Sequence, residues 1–151
     1  MKPPLRIAGH PLHATLVRFP YALWIFSFIA DVVYYFGGYN YDWARAAYCA
    51  LMVGLVAGVM AAVPGVIDSL AIKEKRAARL AAWHARINAF AWFSFAGSFY
   101  LRTERGGQLV DKSLTIPLLL SFLGTMLVIV SGWYGSEMIY KHRVGVAPKQ
   151  D

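Results

Sequence analysis

Four histidines are the side chains of this 151-residue sequence best suited to chemistry. They are His10, His13, His84 and His142. Each lies at the end of a long apolar run, and if these runs are membrane helices all four imidazoles fall at one side of the bilayer. The polar residues predicted at the same depth are Arg18, Asp68, Asn88 and Glu137. Ionisable groups at the edge of the hydrocarbon are costly and are more often functional than structural. The sequence therefore predicts a site in this layer.

A b-type haem is the first chemistry that this layer could support. Such a haem needs two imidazoles that face each other from different helices, and His13 and His84 fit as axial ligands. His10 is an alternative to either, and Asn88 lies one turn after His84 on the same helical face. The basic side chains predicted to reach the propionates are Arg6, Arg18 and Arg86. Two haems stacked across the membrane would need histidine ligands at both sides of the bilayer. Because the half of the membrane opposite these four histidines has none, this arrangement for transmembrane electron transfer is disfavoured. Electron transfer is the predicted function, with a potential set by the ligands and their hydrogen bonds.

Two other interpretations remain open. A non-haem zinc or iron site would use His10, His13 and His84 with Asp68 or Glu137, although no His-Glu-x-x-His motif is present. His142 is a further alternative ligand, but its neighbours Lys141 and Arg143 favour a solvated side chain. In the third interpretation the protein is an accessory or structural subunit of a larger membrane complex, and the polar layer only holds the helices together. No Gly-x-Ser-x-Gly nucleophile motif occurs, and enzymatic activity stays undecided.

The composition is typical of a membrane protein. Hydrophobic residues make up 58% of the chain and charged residues 15%, against about 25% charged in soluble domains. The net charge of +7 comes from basic residues at the ends of apolar runs. A nucleic-acid-binding protein would cluster them on one solvated face, so the predicted partner is the lipid bilayer. The single cysteine, Cys49, excludes an intramolecular disulfide.

The apolar runs predict an all-α fold, an integral membrane four-helix up-down bundle in one domain over residues 1–151. The predicted helices cover approximately 13–36, 43–72, 83–101 and 114–140, with a basic amphipathic connection over 73–82. Gly37 and Gly38 should end the first helix. Gly54 and Gly58 should allow close helix packing. Pro64 should kink the second helix and free carbonyl groups that neighbouring side chains or water must satisfy.

The basic residues predict the orientation. Eleven of the 15 Lys and Arg residues lie on the side of the two termini. The other four are Arg45, Arg102, Arg105 and Lys112. The positive-inside rule then places both termini in the cytoplasm, in a bacterial inner membrane. Asp31, near the opposite end, is predicted to be a capping or interface residue.

Several motifs together resemble a known bacterial family. They are Gly-His-Pro-Leu-His at 9–13, Leu-Val-Arg-Phe-Pro at 16–20, Gly-Val-Ile-Asp at 65–68, His84 with Asn88, and the glycine-rich segment that ends at His142. This combination is similar to the predicted membrane proteins of the domain of unknown function 2231 family. Two positions depart from the pattern, Ala14 in place of a proline and Arg143 in place of a glycine. Members resemble small membrane cytochromes and some are joined to redox domains, so the resemblance implies a haem and a redox partner or larger complex. A homo-oligomer is left open.

Overall fold

The computed structural model describes residues 4–103 and 114–145. Two short strands precede five helices, and the prediction of an all-α membrane fold is confirmed apart from those strands. In chain order the elements are β1 (Arg6–Ile7), β2 (His10–Pro11), α1 (Leu12–Leu16), α2 (Arg18–Phe36), α3 (Tyr41–Leu70), α4 (Lys75–Leu101) and α5 (Thr115–Tyr140). Only Val17 separates α1 from α2, and together they form the first long helical segment.

The two strands form a hairpin that the sequence analysis did not predict. Ala8 and Gly9 make its two-residue turn with φ angles of 49° and 82°, which suits the right-handed twist of a hairpin. The hairpin is attached to the end of α3, because the backbone N–H of Leu5 donates to Asp68 Oδ1 at 3.2 Å. His10 therefore lies on a strand beside the bundle, and His13 lies on α1.

The helix ends agree with the sequence in some places and differ in others. α2 ends at Gly37, and Gly38 follows with a φ of +85°. The basic stretch over 73–82 differs from the expectation of a separate connection, since α4 already begins at Lys75. Its alanines Ala77 and Ala81 are buried, whereas its basic side chains face outward. Nothing in this stretch breaks a helix, so the amphipathic segment continues directly into the apolar one.

Three of the helical segments are long and apolar enough to cross a membrane. These are Leu12–Phe36, Tyr41–Leu70 and Thr115–Tyr140. Large apolar side chains are exposed along the helices, for example Val56, Met60, Phe90, Phe93 and Ile129. An apolar surface of this extent is typical of contact with lipid, because water would penalise it.

The middle of the bundle is a small aromatic core. Trp24 of α2 stacks on Phe95 of α4 with ring centroids 5.0 Å apart, and Leu51 and Val128 pack beside them. The indole lies directly against Gly54 of α3, where a Cβ atom would come within 2.8 Å of Trp24 Nε1. The glycine at this position therefore provides space for a tryptophan ring.

A buried ion pair lies between α2 and the end of α4. Asp31 and Arg102 are 2% and 0% exposed, and two parallel hydrogen bonds of 2.7 and 3.0 Å join the guanidinium to the carboxylate. Arg102 also donates to the carbonyl and hydroxyl oxygens of Ser98. The prediction that Asp31 is a capping or interface residue was wrong. Full hydrogen bonding makes the burial of both charges tolerable.

Candidate histidine site

The first histidine of the candidate site is held by α3. His13 Nδ1 lies 2.8 Å from the carbonyl oxygen of Ala61. Because a carbonyl only accepts, Nδ1 carries the proton and donates it. The Nε2 atom of His13 then carries a free lone pair, which is the form of imidazole that binds a metal ion.

The niche for His13 is built by α3. Gly65 leaves room for the ring, since a Cβ atom there would lie 2.6 Å from His13 Nδ1. Pro64 has no amide proton, so the carbonyl group that lacks its helical donor is that of Met60, four residues earlier. His13 instead contacts the carbonyl of Ala61, and the prediction that neighbouring groups satisfy the carbonyl freed by Pro64 stays a prediction.

The second histidine is held by α5. His84 Nδ1 lies 2.9 Å from both the carbonyl and the hydroxyl oxygen of Ser131. The carbonyl again assigns the proton to Nδ1. Gly135, one turn further along α5, faces the ring, and a Cβ atom there would lie 3.3 Å from His84 Cε1. Both histidines therefore have the same tautomer and the same kind of glycine niche.

An amide orients His84 from the other side. Asn88 Nδ2 donates to His84 Nε2 at 3.0 Å, and Asn88 Oδ1 accepts from the hydroxyl of Tyr21 at 2.8 Å. The tyrosine thereby fixes which end of the amide faces the imidazole. Tyr21 was missed by the sequence analysis, although its spacing of eight residues from His13, two helical turns, was a signal that could have found it.

The two imidazoles lie close to each other between the helices. Their ring centroids are 6.3 Å apart and their planes are perpendicular. Two imidazole nitrogens bound to one metal ion at about 2 Å each place the ring centroids roughly 6 Å apart. The spacing is therefore compatible with both rings on one metal ion, provided that Asn88 moves away from His84 Nε2.

The other predicted ligands do not join this pair. His10 is exposed and contacts the carbonyl oxygen of Ala8, and Asp68 binds the backbone of Leu5. His142 contacts Glu74 at 2.8 Å and Glu137 contacts Lys141 at 2.9 Å. Over residues 4–103 and 114–145, no group of three or more His, Cys, Asp and Glu side chains is placed to hold a metal ion.

The three arginines predicted near the propionates differ in their positions. Arg18 is exposed, and Arg86 is exposed with its guanidinium 5.3 Å from the centre of the Trp83 ring. Arg6, on β1, has a buried Nε atom without a hydrogen-bond partner in the described part of the chain. A carboxylate would satisfy that N–H.

The residues present are compatible with two axial ligands to a haem once Asn88 leaves His84 Nε2. The imidazole centroids are 6.3 Å apart, both rings lie against glycines, and Arg6 has a buried N–H without an acceptor in the described residues. These features define a helical membrane protein with a two-histidine site between its helices. A family model described as "Predicted membrane protein (DUF2231)" matches residues 9–148, and the chain belongs to this family. No curated protein and no solved structure matches the chain.

Proposed function

We propose that the protein is a small b-type haem protein of the bacterial inner membrane that takes part in electron transfer. His13 and His84 are the axial ligands in this proposal, near the cytoplasmic face. One observation carries it: both rings donate Nδ1–H to a backbone carbonyl group, and their centroids lie 6.3 Å apart. Metal-binding histidines have this support from a second hydrogen bond almost without exception.

The number of ligands supports haem over the non-haem alternative. A zinc or iron site takes three or four protein side chains, whereas a porphyrin supplies four nitrogens itself and needs only two axial ligands. In the described residues the His13–His84 pair has no third ligand of the His, Cys, Asp or Glu type. The pair therefore suits a metal ion that brings its own equatorial ligands.

The roles of the chain's residues follow from their contacts. A bound haem supplies one-electron redox chemistry, with a potential that depends on its ligands and their surroundings. Ala61 and Ser131 orient the two imidazoles through their carbonyl groups, and Asn88 occupies His84 Nε2 until a metal ion takes its place. The N–H of Arg6 is the group in this region best suited to a propionate.

We also propose an up-down arrangement of the four long helical segments, with both termini in the cytoplasm. Contacts pair the beginning of one segment with the end of the next, which is the pattern of antiparallel neighbours. The basic residues are concentrated on the side of the termini. The supporting contacts are those of His13 with Gly65, Trp24 with Gly54, His84 with Ser131, and Ser98 with Ser121. Reporter fusions at either end test it: a reporter active only in the periplasm should stay inactive at both termini.

An absorption spectrum of the purified protein tests the haem. After expression with ample haem, the reduced-minus-oxidised spectrum should contain a Soret and an α band. Both bands should be lost in His13→Ala and in His84→Ala. His10→Ala is the matched control and should keep them, because that side chain is exposed and its ring nitrogen contacts the carbonyl of Ala8. Colourless wild-type protein would refute the proposal.

A structural or accessory subunit is the second candidate, and one observation favours it. The chain of hydrogen bonds from Tyr21 through Asn88 and His84 to Ser131 is complete without a ligand and joins three helices. This candidate predicts that His84→Ala lowers the melting temperature while the wild-type protein contains no metal by elemental analysis. Stoichiometric zinc or iron without porphyrin would instead support the non-haem site.

A further inference from the structure

The buried face of α2 carries a row of hydrogen-bonding side chains. Tyr21, Trp24, Ser27 and Asp31 follow one another at spacings of three, three and four residues, which places them on one face of a helix. Ser27 is 0% exposed and Trp24 is 3% exposed. The row thus runs through the interior of the bundle, from the level of the histidines to the level of the ion pair.

Both ends of this row belong to complete hydrogen-bond networks. At one end, the hydroxyl of Tyr21 donates to Asn88, which donates to His84. At the other end, Asp31 binds Arg102 through two hydrogen bonds, and Arg102 continues to the two serines Ser98 and Ser121.

The two members in the middle of the row have no such partners. Within residues 4–103 and 114–145, neither Trp24 Nε1 nor Ser27 Oγ makes a hydrogen bond, although both atoms are buried. Other residues of the bundle show what these groups normally do. Trp92 donates its indole N–H to the carbonyl of Leu55, and Ser94 donates to the carbonyl of Phe90 in its own helix.

A buried polar group without a protein partner usually binds an ordered water molecule. We propose that water binds beside Trp24 Nε1 and Ser27 Oγ and joins the two networks into one hydrogen-bonded line. The indole N–H donates to water, and the serine hydroxyl both donates and accepts. The Asp31 carboxylate has lone pairs beyond the two that Arg102 occupies. The seven-residue step from Trp24 to Asp31 spans about 10 Å of helix, which requires more than one water molecule.

Such a line gives the protein a property beyond electron transfer. Proton movement through a membrane protein requires a continuous series of groups that donate and accept hydrogen bonds. With the proposed water molecules, the series extends from the ion pair past the aromatic core to Tyr21, which donates to the network that contains His84. The inference needs only α2 and its surroundings, and it does not depend on whether a haem binds.

Direct detection of the water uses NMR of the full-length protein in lipid, with ¹⁵N-labelled tryptophan. The Trp24 N–H signal, assigned by its loss in Trp24→Phe, should receive magnetisation from water in spite of its burial. In Ser27→Val, which removes the hydroxyl group that binds the proposed water and adds two methyl groups, this transfer should be reduced or lost. The Trp92 N–H, which donates to a carbonyl, is the internal control. Absence of transfer to Trp24 in the wild-type protein would overturn the proposal.

The sign of a stability change provides an independent test. If Ser27 Oγ binds water, Ser27→Ala removes hydrogen bonds and should lower the melting temperature. Ser94→Ala is the matched control for helix propensity, because the Ser94 hydroxyl already binds its own helix. If the Ser27 hydroxyl were unpaired, its removal would relieve a burial penalty. A melting temperature for Ser27→Ala equal to or above that of Ser94→Ala would therefore overturn the proposal.

Discussion

The bundle has two polar layers, and they differ in formal charge and in how fully their polar atoms are hydrogen-bonded. The Asp31–Arg102 layer contains formal charges, and each of the three guanidinium nitrogens has an acceptor in a fully buried setting. The His13–His84 layer is assembled from neutral side chains, and it leaves the lone pair of His13 Nε2 without a donor in the described residues. The comparison suggests different roles: the charged layer joins α2 to the end of α4, whereas the neutral layer is the one in which we propose a ligand.

The largest expected effect comes from breaking the charged layer. Arg102→Met leaves the Asp31 carboxylate buried without its partner, and loss of one member of a buried pair costs about 3–5 kcal/mol. The double variant Asp31→Leu/Arg102→Met should be more stable than either single variant, because no isolated charge remains. Thermal unfolding in detergent measures both. A double variant that is less stable than both single variants would contradict the interpretation.

The next largest effect concerns the niche of His13. In Gly65→Ala, the added Cβ atom would lie 2.6 Å from His13 Nδ1, so the ring must move and its bond to Ala61 is lost. Overpacking of this kind costs about 1–3 kcal/mol, and any haem bands should disappear. Gly132→Ala on α5 is the control, since a Cβ atom there has no neighbour within 4 Å. That substitution should raise stability by up to ~1 kcal/mol through helix propensity. If Gly65→Ala and Gly132→Ala had the same melting temperature and the same haem bands, the result would argue against the niche.

A smaller effect is expected at the amide that links the two helices of the neutral layer. Asn88→Ala leaves both the Tyr21 hydroxyl and His84 Nε2 without their partner, which should lower the free energy of unfolding by about 1–3 kcal/mol. Haem binding, measured by titration of the purified protein, should be retained, because His84 Nε2 becomes free to bind iron. If Asn88→Ala abolishes binding, the amide positions the ligand and does not compete with it.

The smallest effect belongs to Glu137, outside both layers. Glu137→Gln breaks an exposed contact with Lys141, and exposed ion pairs contribute little to stability. The melting temperature and the metal content should both remain unchanged. A loss of bound metal in this variant would restore the predicted alternative in which Glu137 is a ligand.

The sequence allowed much of the neutral layer to be predicted. His13 and His84 each begin a long apolar segment, and a shared depth in the membrane brings such residues into one layer. The end of α2 at Gly37 was predictable for the same kind of local reason. Asn88 follows His84 by one helical turn, and the structure retains that relation.

The charged layer could not be predicted in this way. Asp31 and Arg102 are separated by 71 positions in the chain, and each lies where a charged residue usually meets water or lipid headgroups. Their pairing depends on how the helices pack, which a pattern in one sequence does not encode. The hairpin was missed because strands of two residues are too short to have a period.

The niche of His13 depends on an absence in α3. Gly65 lacks a side chain, and this gives the imidazole room to donate to the main-chain carbonyl of Ala61. The orientation of the ring is thus determined by the main chain of another helix. The polar side chains around it can consequently be exchanged to adjust its chemistry while the imidazole keeps its place.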